Sequence, residues 1–352
     1  MQRPRLLEDI LNQPQSLAHV LAHQFGDGRA ALLEAAGALR SAHRIVLTGM
    51  GASRFACVPL HYYLVSRGVA CEVVETAELL HYLRGLACDA AVVMVSRSGE
   101  TVEIRKLLDA LGREAPTIGV TSECGSALAR EARHAIRVGN LKDDLVAVQS
   151  YTGTVLALLL LGAAVTREDD DGWKAAAESA ITALEAVLTR QAAESETWQE
   201  FLAPASCVYL LARGPSIGSA LAGALLCNEV AKTPSVAMSA GEFRHGPVEA
   251  ADAAFRALIF APEGPARALN LDLARDLVSF GAQVRTIGPS GGDGSCSWEV
   301  PVLPEAIAPV VEIAPVQLAA LRLAEWKGIP PGRFRYVSHV TLAESGFTAP
   351  AK

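Results

Sequence analysis

The sequence has no Cys-x-x-Cys pair; its seven cysteines, an odd number, stand singly along 352 residues. Scattered thiols argue against a zinc ribbon or a disulfide framework and for a reducing, cytoplasmic setting. There is neither a basic stripe nor a polybasic tail. The net charge is −7 with acids and bases mixed, so no nucleic acid and no membrane surface is expected as a partner. The longest apolar run, 155–165, is too short to span a bilayer. The first residues, MQRPR, lead into a polar helix and not into the apolar core of a signal peptide. His19 and His23 have the one-turn spacing of a zinc pair, but no third ligand follows. They read as helix surface, and neither a metal nor an organic cofactor is expected.

What is present is 51% hydrophobic residues, enough for two ordinary cores. From His43 onward, short β-branched runs alternate with longer helical ones. Strands are expected at 44–48, 70–74, 90–95, 117–120 and 135–138, with helices at 53–67, 101–111, 126–131 and 150–165. After an acidic break at 168–171 and a helical stretch at 173–201, the alternation resumes. Strands at 207–212, 257–261 and 283–287 join helices at 216–231 and 314–327. This pattern specifies a doubly wound α/β fold. "IVLTGMGAS" (45–53) and "VYLLARGPS" (208–216) share an apolar strand, a glycine turn and a Gly-x-Ser helix start, so two similar units are expected.

The turn in "VSRSGETVEI" (95–104) joins a buried strand to an amphipathic helix. Such turns, at the carboxyl ends of strands, are where open α/β sheets bind ligands, and free N–H groups there favour an anion. Ser96, Ser98 and Thr101 add hydroxyl donors, and Gly99 lets the backbone come close. Several charge-assisted bonds can hold a phosphate without a lysine. Glu100 would repel it and should point away along the first helical turn. The competing reading makes Ser98 and Thr101 ordinary caps; Ser53, at the glycine turn of another strand end, favours phosphate. The second unit's counterpart, "IFAPEGP" (259–265), has no hydroxyls, so one anion site is expected. "GMGASR" (49–54) begins like a dinucleotide fingerprint, but its third glycine is Arg54.

Together these residues resemble the sugar isomerase (SIS) domain family. "SRSGET" (96–101) resembles its phosphate loop, and "DILNQPQSL" (9–17), "ARGPSIGSALAGALLCNEVAKTP" (212–234) and "SAGEFRHGP" (239–247) are similar to the isomerase half of glutamine–fructose-6-phosphate aminotransferase. SIS-type glucosamine-6-phosphate deaminases belong to the same circle. The resemblance implies two SIS domains, each a five-stranded parallel sheet flanked by helices in a flavodoxin-like three-layer sandwich. It also implies a homodimer with sites shared between subunits. The expected division is an N-terminal helical segment (1–32), SIS domain 1 (33–167), a helical linker (168–200), SIS domain 2 (201–336) and a tail (337–352).

Carried over residue by residue, Ser53, Ser96, Ser98 and Thr101, with Gly51, Arg97 and Gly99, fall on phosphate-binding positions. Glu229 falls on the glutamate that moves a proton between C1 and C2, and His245 on the ring-opening histidine. Three lysines of the pattern are replaced, by Leu226, by Gln149 and, near the chain end, by Ser338 or His339. Gln149 and Ser338 are expected beside the sugar and His339 in the chemistry. Met1 is followed by Gln2, without the catalytic cysteine of a glutaminase domain, so glutamine-driven transfer is not expected.

The residues carry their own argument. Ile217, Leu221, Leu225 and Glu229 fall on one helix row, and Glu229 is the only charged residue between Pro215 and Lys232. A desolvated carboxylate there suits a general base; the alternative is a helix-end acid paired with Lys232 or an arginine. His245 lies in a Gly/Pro-bounded loop beside Arg244, unlike a core histidine. The expected activity is aldose–ketose isomerisation of a hexose or aminohexose 6-phosphate, or isomerisation with loss of ammonia. The rival is a sugar-phosphate sensor that kept the pocket and lost the lysines.

Overall fold

The protein is described from a computed structural model, which covers residues 4–112, 115–193, 196–290, 298–338 and 340–346. It opens with helices α1 (Arg5–Leu11), α2 (Gln13–Phe25) and α3 (Arg29–Arg40). α3 buries Leu32, Ala35, Ala36 and Leu39, the spacing of one helix face.

Five parallel strands follow: β1 (Arg44–Gly49), β2 (Cys71–Glu75), β3 (Ala90–Val95), β4 (Thr117–Thr121) and β5 (His134–Arg137). They pair in the order β2-β1-β3-β4-β5. The helices of this part are α4 (Ala52–Val65), α5 (Thr76–His81), α6 (Val102–Leu111), α7 (Ala127–Glu131), α8 (Gln149–Thr166) and α9 (Asp170–Ala193). Every residue of β3 is buried, as a central parallel strand covered on both faces requires. On one face, Val46, Val92 and Met94 pack with Leu79, Ile104 and Leu107 of α5 and α6. Each such side chain contributes roughly 1.5–3 kcal/mol by leaving water.

The second half begins at α10 (Glu196–Leu202) and contains β6 (Val208–Ala212), α11 (Ile217–Glu229), β7 (Ser235–Ser239), α12 (Ala240–Phe243), β8 (Arg256–Phe260), α13 (Arg267–Ser279), β9 (Gln283–Gly288), β10 (Trp298–Glu299), α14 (Pro309–Glu312) and α15 (Ala314–Trp326). Its sheet order, β7-β6-β8-β9-β10, repeats that of the first. Its core repeats too: Leu211, Ala257 and Ile259 pack with Phe243, Leu273 and Leu277 of α12 and α13. The two-unit α/β expectation is therefore met. β7 and β10 are additions to the sequence reading. β7 is an edge strand with no fully buried residue, and β10 has two residues.

The chain packs as two bodies. One comprises Met1–Pro14, Asp144–Val148 and Glu178–Arg333, with the second sheet; the other comprises Gln15–Asp143, Gln149–Ala177 and Phe334–Lys352, with the first. The apolar run at 155–165 belongs to a longer helix than its length suggested. At 18 residues, α8 is long and apolar enough to cross a membrane, and 94% of it is buried inside the protein. A Cβ on Gly162 would stand 2.9 Å from the Tyr63 ring, so glycine lets α8 lie close against α4. His23 also departs from expectation: His19 is exposed, but His23 is half-buried against Gly28 and Gly139.

Candidate functional site

β1 and β3 are neighbours, with Gly49 opposite Val95 at their carboxyl ends. After β1 the chain turns into α4, which packs with α8; after β3 it turns into α6, which packs with α5 and α7. The order thus reverses between these strands, and the two turns frame a crevice of the kind that binds ligands in open α/β sheets. Gly51 stands on the first turn and Ser53 in the opening turn of α4, and Ser96, Arg97, Ser98, Gly99 and Thr101 stand on the second.

The hydroxyls of the second turn brace it from within. Ser96 is buried; its Oγ accepts the Gly99 N–H at 3.1 Å and lies 3.2 Å from Thr101 Oγ1. Ser98 Oγ accepts the Glu100 N–H at 3.2 Å. Thr101 is the N-cap of α6, yet its hydroxyl makes no capping bond. Arg97's carbonyl accepts from Thr121 Oγ1 at 3.1 Å and from Ser122 N–H at 3.2 Å, which ties the turn to the end of β4. Glu100 does turn away, its Oε2 facing Arg105 of α6 at 3.9 Å. Its Oε1 accepts the Ala127 N–H at 2.7 Å and so caps α7.

Gly99 has φ +64, and a side chain there would collide with the Ser126 hydroxyl. Gly99→Ala should therefore cost roughly 1–3 kcal/mol from backbone strain and overlap together. Urea denaturation of the two proteins checks this; equal midpoints would mean that the turn relaxes freely.

Gln149 opens α8 in the same body, donating its N–H to Asp143 Oδ1 at 2.7 Å and its Nε2 to the Lys142 carbonyl at 3.2 Å. Asp143, missed in the sequence, is buried and also accepts the Ser150 N–H at 3.0 Å and the Ser150 hydroxyl. Burial pushes its carboxyl above the usual range, against these bonds and the nearby Arg97 charge. Ser338 is exposed, and its Oγ donates to the Val340 carbonyl at 2.6 Å. Three residues on, the Thr341 carbonyl accepts the Val102 N–H at 3.0 Å, at the start of α6. Glu344, bonded to His81 at 3.0 Å and to Lys106, ties the same tail down. His339 lies outside the described residues.

Glu229 and His245 belong to the second-sheet body. Glu229 ends α11, and Lys232 Nζ donates to its carbonyl oxygen. Ile217, Leu221, Leu225 and Glu229 do form one row, and all four are half-buried, whereas most of α11 is buried. The desolvation expected of Glu229 is thus partial. His245 is exposed, its N–H donating to the Glu242 carbonyl at 2.9 Å. Beside it, Arg244 pairs with Asp276 at 3.2 Å and borders a cavity of about 380 Å³ with Val248, Leu273 and Phe280.

Duplicated five-stranded parallel sheets with a hydroxyl-rich turn at the β1/β3 switch define the class, and residues 38–167 match the SIS domain. The chain therefore contains a SIS domain, at residues 38–167. It is 30% identical to the glutamine–fructose-6-phosphate aminotransferase [isomerizing] of Aeropyrum pernix, over 96% of this chain and 57% of that one. It thus spans a little over half the length of the curated relatives it matches. The C-terminal domain of glucosamine-fructose-6-phosphate aminotransferase from Francisella tularensis shares the fold, with a TM-score of 0.82 at 20% identity, covering 93% of this chain and 97% of that one. Glucosamine-6-phosphate deaminase from Thermotoga maritima does so with a TM-score of 0.74 at 18% identity, covering 94% and 98%.

Proposed function

We propose that the protein is a phosphosugar isomerase, or an aminosugar-phosphate isomerase/deaminase, acting in the cytoplasm on a hexose or hexosamine 6-phosphate. The observation that carries this reading is the turn at 96–101. Three hydroxyls stand on the switch-point turn, those of Ser96 and Thr101 3.2 Å apart, and the Thr101 hydroxyl is not spent on capping its helix. Relatives named as an isomerising fructose-6-phosphate aminotransferase and a glucosamine-6-phosphate deaminase support the sugar class.

In this mechanism Ser96, Ser98 and Thr101, with Ser53, Arg97 and the backbone of Gly51 and Gly99, anchor the phosphate. Gln149 and Ser338 stand along the sugar, and His339 takes part in the chemistry. His245 opens the ring, and Glu229 carries the proton between C1 and C2 through a cis-enediol. No lysine captures the sugar, because Leu226 stands at one lysine position of the pattern and Ser338 or His339 at another. The functional unit is a homodimer with sites shared between subunits.

One observation favours the second reading, a non-catalytic sensor: His245 is exposed and Glu229 is only half-buried. The two readings separate on incubation with glucosamine 6-phosphate and with glucose 6-phosphate. Ketose or ammonia is expected as product; binding without either product would leave the sensor.

A further inference from the structure

The second-sheet body keeps the two glycine turns of a ligand crevice. Gly214 (φ +61) follows β6 at the interval at which Gly51 (φ +51) follows β1, and Gly264 (φ +151) follows β8 as Gly99 (φ +64) follows β3. The hydroxyls are gone: Ala261, Glu263 and Ala266 stand where the first turn has Ser96, Ser98 and Thr101. In their place a side chain of the protein fills the gap. Glu305 Oε1 lies 2.7 Å from the point a Cβ on Gly264 would occupy and 3.5 Å from that on Gly214.

Beside it, at the end of α14, Glu312 is 1% exposed. Its Oε1 accepts from Ser219 Oγ at 2.7 Å and its Oε2 from Ser216 Oγ at 3.0 Å, both at the start of α11. The charged group that bears on it is another acid, Glu305. Helix α11 brings no charged side chain before Glu229, at its far end. Arg213 lies against Gly241, Glu263 faces Arg267 at 3.8 Å, and Arg322, the first charge of α15, pairs with Glu325 at 2.7 Å. Burial pushes the Glu312 carboxyl up to about 7, the like charge of Glu305 adding to it against the two serine bonds; burial raises Glu305 as well.

We propose that Glu305 and Glu312 form a proton-controlled plug of the second crevice: while Glu312 is neutral Glu305 stays seated between the glycine turns, and when both are ionised Glu305 is driven out. Glu305 is the one to move, because it is half-buried and reaches solvent, whereas Glu312 is enclosed and held by two serines. The sign follows from the raised carboxyl. The closed form binds the proton more tightly than the open one, so it is favoured at low pH and loses that advantage as pH rises through about 7.

Backbone hydrogen exchange of the full chain at residues 214–220, corrected for base catalysis, tests this at about pH 6 and about pH 8.5. Protection should fall between them, by less than the roughly tenfold that relief of the whole Glu312 shift would give, because Glu305 leaves while burial and the serine bonds stay. Glu312→Gln, neutral and of the same shape, should show equal protection at both. Glu305→Gln, which removes the like charge at a half-buried position, should shrink the fall and serves if the first variant does not fold. Unchanged protection in the native chain, or the full fall persisting in either folded variant, would overturn the plug. The readout needs no sugar, so it stands apart from the proposed activity.

Discussion

Replacing Ser96 and Ser98 together by alanine should weaken sugar-phosphate binding by about 3 kcal/mol or more, over a hundredfold. Two losses add. Each hydroxyl removed takes away a charge-assisted bond to the phosphate, worth roughly 1.5–3 kcal/mol. Each also braces the turn, Ser96 through the Gly99 N–H and Ser98 through the Glu100 N–H, so the remaining donors lose their aim. Titration calorimetry with glucose 6-phosphate reads the change, and glucose itself should bind poorly to both proteins. Equal affinity of the native protein for glucose and glucose 6-phosphate would sink the phosphate assignment.

Glu229→Gln should leave that binding nearly intact and cut turnover by roughly 10²–10⁴-fold, the usual contribution of a positioned general base. The amide keeps the size and the half-buried setting at the end of α11 but cannot accept the proton. Exchange of the C2 proton with solvent is the readout that separates this from a packing defect. A variant that still exchanges at the native rate would move the base elsewhere.

Much of the fold was legible because buried parallel strands are continuous apolar runs. β1 and β3 begin where the runs at 44 and 90 begin, and both ends of β3 coincide with its run. β7 escaped notice because "SVAMS" is a half-exposed edge with a single β-branched residue. β10 is too short to leave a pattern. Helix α13 is absent from the sequence reading, although its buried Asn270, Leu273, Ala274 and Leu277 keep the helical spacing. At the site, the hydroxyl cluster stood out as a local motif, but its bracing did not. Thr121, Ser126 and Ala127 come from the next strand and helix, so their bonds to the turn depend on tertiary packing. Glu229 and its row were visible as a period of four, while the openness of that row was not. Asp143 and Glu312 illustrate the same limit. Glu312 is a single acid in the apolar stretch "AIAPVVEIAPVQLAAL" (306–321), a signal of burial without its cause, the two serines ninety residues away.

The central claim is that a phosphate-anchored sugar is turned over by proton transfer alone. It is tested most directly by incubating the native protein with glucose 6-phosphate in deuterated water and following the C2 position by NMR. Deuterium should enter at C2 in the native protein and not in Glu229→Gln, and borohydride added during turnover should leave the protein mass unchanged. Phosphate-dependent binding with no deuterium at C2, or a sugar adduct on any lysine, would contradict it.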